Sequence, residues 1–278
     1  MKRILLLSLI TLGFSSITFG QLTSNFQEDW LKAVVSIEVA SSPSNSQPVG
    51  TGLLVSTASN HVVLVTAKHV VTERNGSIRN GLAYRLNKKS NPSYLLNDSE
   101  IMQSLGNWLL STNADLAMRF ISWTDHQSDF KTLPAQGVML AQTNVQAGAP
   151  IAILGFPMGL RSEEHSVPIL RKGAIARSDP ENLIADCFVF PGNSGGPVIY
   201  VPAVSFAGDL FHNPLHNTQK WLGIVSSEIS YVERAYSSQT LHERAIFEEN
   251  SGLCNVVPTE RIQELMESDG FKAIDAIR

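Results

Sequence analysis

The chain has 278 residues, a formal net charge of −4 and a hydrophobic content of 43 %. This hydrophobic content is enough to bury a sizeable core, and the length allows one or two domains. Because basic residues are not in excess, nucleic acid and anionic membrane surfaces are disfavoured as partners. The ordinary glycine and proline contents also disfavour a disordered or low-complexity scaffold.

The first twenty residues have the layout of a secretory signal peptide. Lys2 and Arg3 precede an apolar run, and Thr18 and Gly20 place small residues at the −3 and −1 positions of a cleavage site. An uncleaved membrane anchor is the alternative, but serines dilute the run towards the lower limit of about 18–20 residues for a span. We therefore expect residues 1–20 to be removed on export to a bacterial periplasm or the extracellular space. No stable membrane insertion is expected afterwards.

The mature sequence consists of short strand-like runs separated by turn residues, which predicts an all-β fold. The runs are apolar or β-branched and are bounded by glycine, proline, asparagine or serine, a pattern typical of barrels or sandwiches. They cover residues 31–40, 50–55, 61–66, 115–121, 151–155, 169–176, 184–190, 198–201 and 221–226. The polar residues 124–149 are a candidate link between two halves.

The end of the chain has a different pattern. Residues 231–252 are polar and charged, which predicts a surface excursion. Residues 259–268 then give the one clear helical pattern, with Thr259 as its cap and Ile262 and Leu265 on one face. We therefore expect a C-terminal helix after the last strand.

The two cysteines, Cys187 and Cys254, lie far apart in the sequence. Export would permit one disulfide between them. Two buried free thiols are the alternative, and the sequence does not decide between these arrangements.

Three local patterns that can carry chemistry occur in the order histidine, aspartate, serine. His69 follows an apolar strand in TAKHV, Asp115 opens a strand in NADLA, and Ser194 lies in the turn PGNSGGP. A serine hydroxyl becomes a good nucleophile when a neutral imidazole takes its proton, and a carboxylate holds that imidazole in one tautomer. Each pattern alone is more often structural. Their order and their positions beside strands together predict a catalytic triad.

The glycines around Ser194 predict the remaining part of such a site. The tetrahedral intermediate of acyl transfer carries an oxyanion, which requires preorganised N–H donors. Glycine allows a sharp backbone turn with positive φ where the turn requires it. We expect the backbone N–H groups of Gly192 and Ser194 to form the oxyanion hole.

The spacing of Gly192, Ser194 and Gly196 also matches the nucleophile elbow of α/β-hydrolases. In an elbow the serine opens a helix, whereas residues 197–201 have the pattern of a strand. The elbow enzymes also need an aspartate and a histidine after the serine, and those available here lie in polar segments. These observations reject the elbow.

A metal enzyme is disfavoured as well. His212 and His216 have the i,i+4 spacing of a metal-binding pair, but Pro214 between them disfavours the helix that such a pair uses. The sequence contains no His-Glu-x-x-His motif. We expect neither a metal nor a cofactor.

With these motifs, the sequence resembles the trypsin/chymotrypsin superfamily, and within it the bacterial trypsin-like peptidases of the HtrA or Deg group. Three further segments carry the resemblance, namely GTG at 50–52, LGFPMG at 154–159 and LGIV at 222–225. The resemblance extends over residues 30–268.

This resemblance implies two antiparallel six-stranded β-barrels with the triad in the cleft between them. The N-terminal barrel is expected at residues 26–135, and the C-terminal barrel with the C-terminal helix at residues 140–278. His69 and Asp115 would come from the first barrel and Ser194 from the second.

The sequence departs from the family at three points. Asn193 stands where the animal digestive enzymes have an aspartate that pairs with a newly freed N-terminus. Activation by that ion pair is therefore not expected. The family's disulfides are absent, and we expect a protease core without the PDZ domain into which HtrA proteins usually continue.

The resemblance places the primary substrate pocket beside Phe188 and the segment Ser226, Ser227 and Glu228. Phe188 occupies the position at which trypsin has the aspartate that gives its basic preference. An uncharged P1 side chain is therefore favoured. Glu228 either lies at a solvated rim or reaches into the pocket and attracts a cation.

The sequence thus predicts a serine endopeptidase that hydrolyses polypeptide substrates through an acyl-enzyme intermediate. Two alternatives remain open. One is a catalytically weak or inactive protein of the same fold that binds exported polypeptides or a partner. The other is an esterase with little peptidase activity. The oligomeric state is left open.

Overall fold

The computed structural model describes residues 27–42, 45–89, 93–98, 107–122, 128–161, 165–180, 182–202, 206–207, 210–211 and 219–277. The predicted signal peptide at residues 1–20 lies outside the described residues, as do His212 and His216. The described chain forms two main β-sheets with a few short helices. The predicted all-β class with a C-terminal helix is therefore confirmed.

The first sheet is built from eight strands of the N-terminal half. These are β1 (Val34–Ser42), β2 (Asn45–Ser56), β3 (Val62–Thr66), β4 (Leu82–Leu86), β5 (Tyr94–Asn97), β6 (Leu109–Leu110), β7 (Ala117–Ile121) and β8 (Leu133–Pro134). Their order is β5-β4-β1-β2-β3-β7-β6, and β8 pairs with β2 in parallel. Within the described residues this order is an open path, so closure of a six-stranded N-terminal barrel stays a prediction.

The second sheet is a closed barrel of six antiparallel strands in the order β10-β11-β16-β15-β12-β9. These strands are β9 (Pro150–Gly155), β10 (Ile169–Ser178), β11 (Leu183–Asp186), β12 (Pro197–Tyr200), β15 (Lys220–Tyr236) and β16 (Glu243–Pro258). The short strands β13 (Phe206–Ala207) and β14 (Leu210–Phe211) pair separately. The antiparallel six-stranded barrel expected for the C-terminal half is therefore present.

Five short helices accompany the sheets in the described chain. They are α1 (Glu28–Ala33), α2 (Lys68–Val71), α3 (Ala135–Val138), α4 (Thr259–Met266) and α5 (Asp269–Asp275). The helix predicted at residues 259–268 is α4. The sequence analysis missed α5, whose N-cap Ser268 accepts a hydrogen bond from the Phe271 N–H. None of the described helices is long and apolar enough to cross a membrane.

The start of the predicted first strand is helical instead. Residues 31–33 belong to α1, and β1 begins only at Val34. Acidic residues in the first turn favour this helix through the helix dipole, and Glu28 and Asp29 occupy that turn. Trp30 and Ala33 are buried in the core. The first residues of the apolar run therefore form the end of a helix, and the later ones form the strand.

The hydrophobic core continues from the first sheet into the barrel. One cluster joins Leu53 and Leu64 of the first sheet to Ile199, Trp221 and Ile224 of the barrel. Apolar burial is the main favourable contribution to folding. A shared core therefore holds the two sheets against each other.

The segment predicted as a surface excursion is regular structure. Beyond the barrel, β15 and β16 continue as an antiparallel pair from Ser230 opposite Asn250 to Tyr236 opposite Glu243. We call residues 228–250 the ribbon. Both of its faces are exposed to solvent, which explains why its composition is polar and why its strands show no buried face in the sequence.

Cys187 and Cys254 are both buried free thiols. Burial raises the pKa of both thiols, that of Cys254 to about 12. A thiol with a raised pKa stays protonated at neutral pH and is a poor nucleophile. Of the two arrangements left open by the sequence, the structure has the free thiols.

Candidate active site

His69 and Asp115 are brought together by the pairing of β3 with β7. Thr66 at the end of β3 lies opposite Ala117 at the start of β7. His69 follows β3 in α2, and Asp115 precedes β7. The end of β3 and the start of β7 therefore lie side by side, which brings His69 and Asp115 together as the predicted triad requires.

The Asp115 carboxylate holds His69 at two points. Oδ1 accepts the backbone N–H of His69 at 3.0 Å, and Oδ2 lies 2.8 Å from the His69 Nδ1. Because an ionised carboxylate only accepts hydrogen bonds, Nδ1 carries the hydrogen. The opposite ring nitrogen, Nε2, is then the acceptor that a general base needs.

A third group, Ser226, also contacts Asp115. Its Oγ donates to the Asp115 Oδ2 at 2.7 Å. Burial by itself raises the pKa of Asp115, but the hydrogen bonds from His69 and Ser226 more than offset this effect, so the pKa lies below its usual value. Asp115 is therefore ionised at neutral pH and can stabilise a positively charged His69.

Ser194 lies in a sharp turn between β11 and β12 that only glycine can build. Gly192 has a φ of +100°, and a Cβ there would lie 2.2 Å from the Phe156 carbonyl oxygen. Gly195 has a φ of +82°, and its Cβ would lie 2.1 Å from the Thr66 Oγ1. Such values of φ are unfavourable for other residues, so both glycines fix the shape of this turn.

The backbone of the turn leaves the N–H groups of Gly192 and Ser194 without an acceptor among the described residues. The Pro191 carbonyl accepts from the Met158 N–H at 2.6 Å, and the Asn193 carbonyl accepts from the Gly196 N–H at 2.8 Å. In a trans peptide the N–H points away from its carbonyl. The N–H groups of Gly192 and Ser194 therefore both point away from these internal contacts.

Thr51, which the sequence analysis did not single out, braces the same turn. Its Oγ1 donates to the Gly192 carbonyl at 2.6 Å, and its N–H donates to the Ser194 carbonyl at 2.8 Å. A Cβ on Gly50 would lie 3.1 Å from that Ser194 carbonyl. The signal in the sequence was the GTG segment, in which Gly50 permits the close approach to Ser194.

Asn193 stabilises the turn from inside. Its side chain is fully buried, and its Oδ1 accepts the Phe190 N–H at 3.0 Å. The sequence analysis considered this position only for the activating ion pair that an aspartate would make. In the structure the side-chain oxygen at this position serves the turn itself, and the buried Nδ2 has no hydrogen-bond partner among the described residues.

The Ser194 hydroxyl is turned towards Ser226. Its Oγ donates to the Ser226 carbonyl at 3.3 Å and makes no hydrogen bond with His69. Ser226 thus contacts both Asp115 and Ser194. Hydrogen bonds between catalytic groups are often long or unformed in the absence of substrate.

The four residues predicted to line the substrate pocket make different contacts. Phe188 is half-exposed, and a Cβ on Gly252 would lie 3.2 Å from its ring. Ser226 is engaged with Asp115, as described above. Ser227 and Glu228 accept hydrogen bonds from β16 side chains, Asn255 at 3.1 Å and Asn250 at 2.9 Å respectively.

Glu228 is exposed at the start of the ribbon. Its tether to Asn250 favours the rim position over the pocket interior. Phe188 is then the large apolar side chain at the predicted pocket, and the preference for an uncharged P1 side chain stays a prediction.

This combination of fold and site is typical of the trypsin-like peptidases. The sequence profile of the trypsin-like peptidase domain matches residues 50–201. The chain belongs to this family, and the resemblance drawn from its motifs is confirmed.

Among solved structures, the chain is similar to the HtrA-type protease AlgWS227A with tripeptide, with 15 % identity and a TM-score of 0.48 over 86 % of this chain and 60 % of that chain. It is also similar to the HtrA-type protease AlgWS227A with decapeptide, with 15 % identity and a TM-score of 0.48 over 85 % of this chain and 63 % of that chain. The chain thus spans less than two thirds of the length of each of these two solved chains. No curated protein matches it.

Proposed function

We propose that this protein is an exported serine endopeptidase that hydrolyses polypeptides through an acyl-enzyme intermediate. The observation that carries the proposal is one arrangement of groups. Asp115 holds the Nδ1 of His69 at 2.8 Å, and Ser226 links this pair to Ser194. Beside Ser194 lie two N–H groups, of Gly192 and of Ser194 itself, that have no acceptor among the described residues.

In the proposed reaction, His69 Nε2 takes the Ser194 proton as Oγ attacks the carbonyl carbon of the scissile bond. Asp115 keeps the imidazole in the required tautomer and stabilises its positive charge. The oxyanion that forms accepts hydrogen bonds from the Gly192 and Ser194 N–H groups, and one such donor is worth about 2.7–4 kcal/mol. The proton passes from His69 to the leaving amine. Water then hydrolyses the acyl-enzyme by the same steps.

The position of the Ser194 hydroxyl favours a second candidate function. Because Oγ bonds to Ser226 and not to His69, the alternative is a protein that binds exported polypeptides without cleaving them. The two candidates differ in their dependence on Ser194, since a binding protein does not require its hydroxyl.

Cleavage of a proteome-derived peptide library tests the choice. We expect the purified protein to cut a reproducible set of peptides and Ser194→Ala to cut none while still folding. Ser237→Ala, at the tip of the ribbon, is the matched control and should cut the same set. If the protein and Ser194→Ala both bind peptides and neither cuts, the binding function replaces the endopeptidase.

A further inference from the structure

Strand β15 has an open edge that begins beside Ser194. On one side, β12 pairs with β15 only from Lys220 to Ile224. On the other side, β16 stays paired with β15 as far as Tyr236. From Ser226 onwards, one edge of β15 therefore pairs with no other strand of the described chain. An open edge presents unpaired N–H and C=O groups that can receive another strand.

The backbone contacts of the ribbon show which residues point to this open edge. The Ile229 carbonyl accepts a hydrogen bond from the Ser251 side chain, and the Ser237 N–H donates to the His242 carbonyl at 2.9 Å. Both contacts lie on the side of β16. Because alternate residues of an antiparallel strand direct their backbone groups to opposite edges, Ser230, Val232 and Arg234 point outwards.

Register shifts divide this edge into shorter parts. The register of β15 with β16 shifts between Val225 and Ser227, between Ile229 and Ser230 and between Ala235 and Tyr236. The residues between the last two shifts form a regular strand. At about 3.3 Å per residue, Val232 lies about 20 Å along the strand from Ser226.

We propose that this edge binds the polypeptide substrate as an added antiparallel strand, over residues well upstream of the scissile bond. The inference rests on the proposed endopeptidase function and extends it beyond the pocket at Phe188 and Glu228. Antiparallel pairs outnumber parallel ones two- to three-fold or so. A strand antiparallel to β15 runs towards Ser194, so the substrate residues on the ribbon precede the bond that is cut. Strand addition of this kind is a recurring mode of peptide recognition.

The charge of the ribbon indicates which upstream sequence it prefers. The ribbon has five glutamates and two arginines. Arg234 is paired with Glu243, whereas Glu233, Glu248 and Glu249 are exposed and make no ion pair with a described residue. Glu233 lies on β15 next to an added strand, whereas Glu248 and Glu249 lie on β16, about 10 Å from it. These charges attract cationic side chains, with an effect that salt screens. We therefore assign upstream basic residues as the preferred substrate class.

Exposed apolar side chains lie between these glutamates. Tyr231, Val232, Ile246 and Phe247 are each about half-exposed, from 45 % to 58 %. A strand added to the open edge would lie beside Tyr231 and Val232 and cover part of this surface. Its own apolar side chains would then alternate with the basic ones.

Two lengths of one substrate test the proposal. A peptide that the protein cuts is synthesised with about three residues upstream of the scissile bond, and again with about six more that alternate lysine and valine. We expect kcat/KM to be about tenfold higher for the long peptide, because two or so added backbone hydrogen bonds are worth about this factor. Replacing the lysines by glutamates should remove the gain.

Variants of Val232 locate the effect on the ribbon. Proline is tolerated on an edge strand where its missing N–H would face solvent, so Val232→Pro removes one outward donor and leaves the β16 ladder in place. We expect the ratio of kcat/KM for the long and short peptides to fall towards one in Val232→Pro and to fall less in Val232→Ala, which loses part of the apolar side chain but keeps the outward N–H. A long peptide that is N-methylated at alternate upstream residues tests the same bonds with the protein unchanged, and it should lose the gain.

The outcomes separate this inference from the function on which it rests. If both peptides are cut at equal rates, or if N-methylation and the lysine-to-glutamate exchange change nothing, the ribbon does not bind substrate although the endopeptidase assignment stands. If no peptide of either length is cleaved, whatever its cut site, the endopeptidase assignment fails and the ribbon inference fails with it.

Discussion

Ser226 contacts two members of the proposed triad through different atoms. Its hydroxyl donates to Asp115 at 2.7 Å, and its carbonyl accepts from the Ser194 hydroxyl at 3.3 Å. A side-chain substitution separates these contacts, because it removes the hydroxyl and keeps the carbonyl. The residue was predicted from sequence as part of the substrate pocket, and only the fold reveals its contact with Asp115.

We expect Ser226→Ala to lower kcat/KM by about tenfold, which corresponds to about 1.4 kcal/mol in the activation barrier. The Ser226 hydroxyl donates to the Asp115 carboxylate, so its loss leaves more negative charge facing His69, favours the protonated imidazole and moves the acidic limb of the pH–rate profile to higher pH. The measurement is kcat/KM across pH. Ser227→Ala is the matched control, since within the described chain its Oγ accepts from Asn255 and contacts no member of the proposed triad. Equal profiles for the two variants would contradict this role.

Gly192 offers a second test at the scale of one residue. In Gly192→Ala the new Cβ would lie 2.2 Å from the Phe156 carbonyl oxygen, so the turn has to move and the proposed oxyanion donor with it. We expect at least a hundredfold loss of kcat, the size of effect known for one lost donor.

Gly148→Ala is the control for the backbone strain in Gly192→Ala. Gly148 has a φ of +88°, similar to that of Gly192, but a Cβ there meets nothing within 4 Å. We expect it to lose about 1–2 kcal/mol of stability and to keep its activity. Equal activity losses in the two variants, measured with stability by urea unfolding, would contradict the role given to the Gly192 turn.

At the scale of elements, β1 is joined to β4 by a buried ion pair. Glu38 in β1 is fully buried, and its Oε1 lies 2.6 Å from Arg85 Nε and 3.2 Å from Arg161 Nε. Burial alone raises the pKa of Glu38, but hydrogen bonds from Arg85 and Ser46 outweigh it and bring the pKa to about 2. The ionised form is therefore favoured by folding.

This pKa has a defined consequence for stability. The contribution of Glu38 is fully present above its unfolded pKa of about 4.3 and is lost as pH falls towards its folded pKa. We expect Glu38→Gln to lower the free energy of unfolding at pH 7 by about 3 kcal/mol, the lower end for a broken buried pair, because it removes the charge that the partly buried Arg85 and Arg161 contact. Its free energy of unfolding should also depend less on pH between about 4.5 and about 2 than that of the unchanged protein.

Urea unfolding at several pH values measures both effects. Glu73→Gln is the control, because Glu73 is half-exposed and lies 3.6 Å from Arg79. An exposed pair of this kind contributes about 0–1 kcal/mol. If Glu38→Gln behaves like Glu73→Gln, the buried pair does not stabilise the first sheet as described.

Strands were predictable from sequence where they have a buried face. The runs at residues 61–66 and 151–155 correspond to β3 and β9, whose side chains are almost all buried. The ribbon was not recognised as strand because both of its faces are exposed. Helix α5 was missed because Phe271 is its one buried residue. One buried position gives no helical periodicity that the sequence could show.

At the scale of the whole molecule, the C-terminal helix returns to the first sheet. Asp275 in α5 accepts from Thr57 at 2.7 Å and lies 2.8 Å from His61 Nδ1. These partners precede Asp275 by more than two hundred positions, with a separation of 214 for His61. Contacts of this range depend on the final topology, so local sequence patterns do not contain them.

The site shows the same division between local and distant information. His69, Asp115 and Ser194 were identifiable because each lies in its own short motif. The contacts of Thr51 and Ser226 were not, because they arise only when the first sheet and the barrel pack together. Motifs therefore predicted the reacting groups, and the fold supplied their supporting contacts.

Covalent labelling by a fluorophosphonate is the most direct test of the central proposal, that Ser194 is a nucleophile activated by His69. In this reaction the Ser194 Oγ forms a bond to phosphorus, fluoride leaves, and His69 takes the hydroxyl proton. We expect intact-mass and peptide-mapping measurements to find one adduct per chain, on Ser194, formed at least a hundredfold more slowly in His69→Ala. A folded protein that gains no adduct, or gains it at another residue, would contradict the proposal.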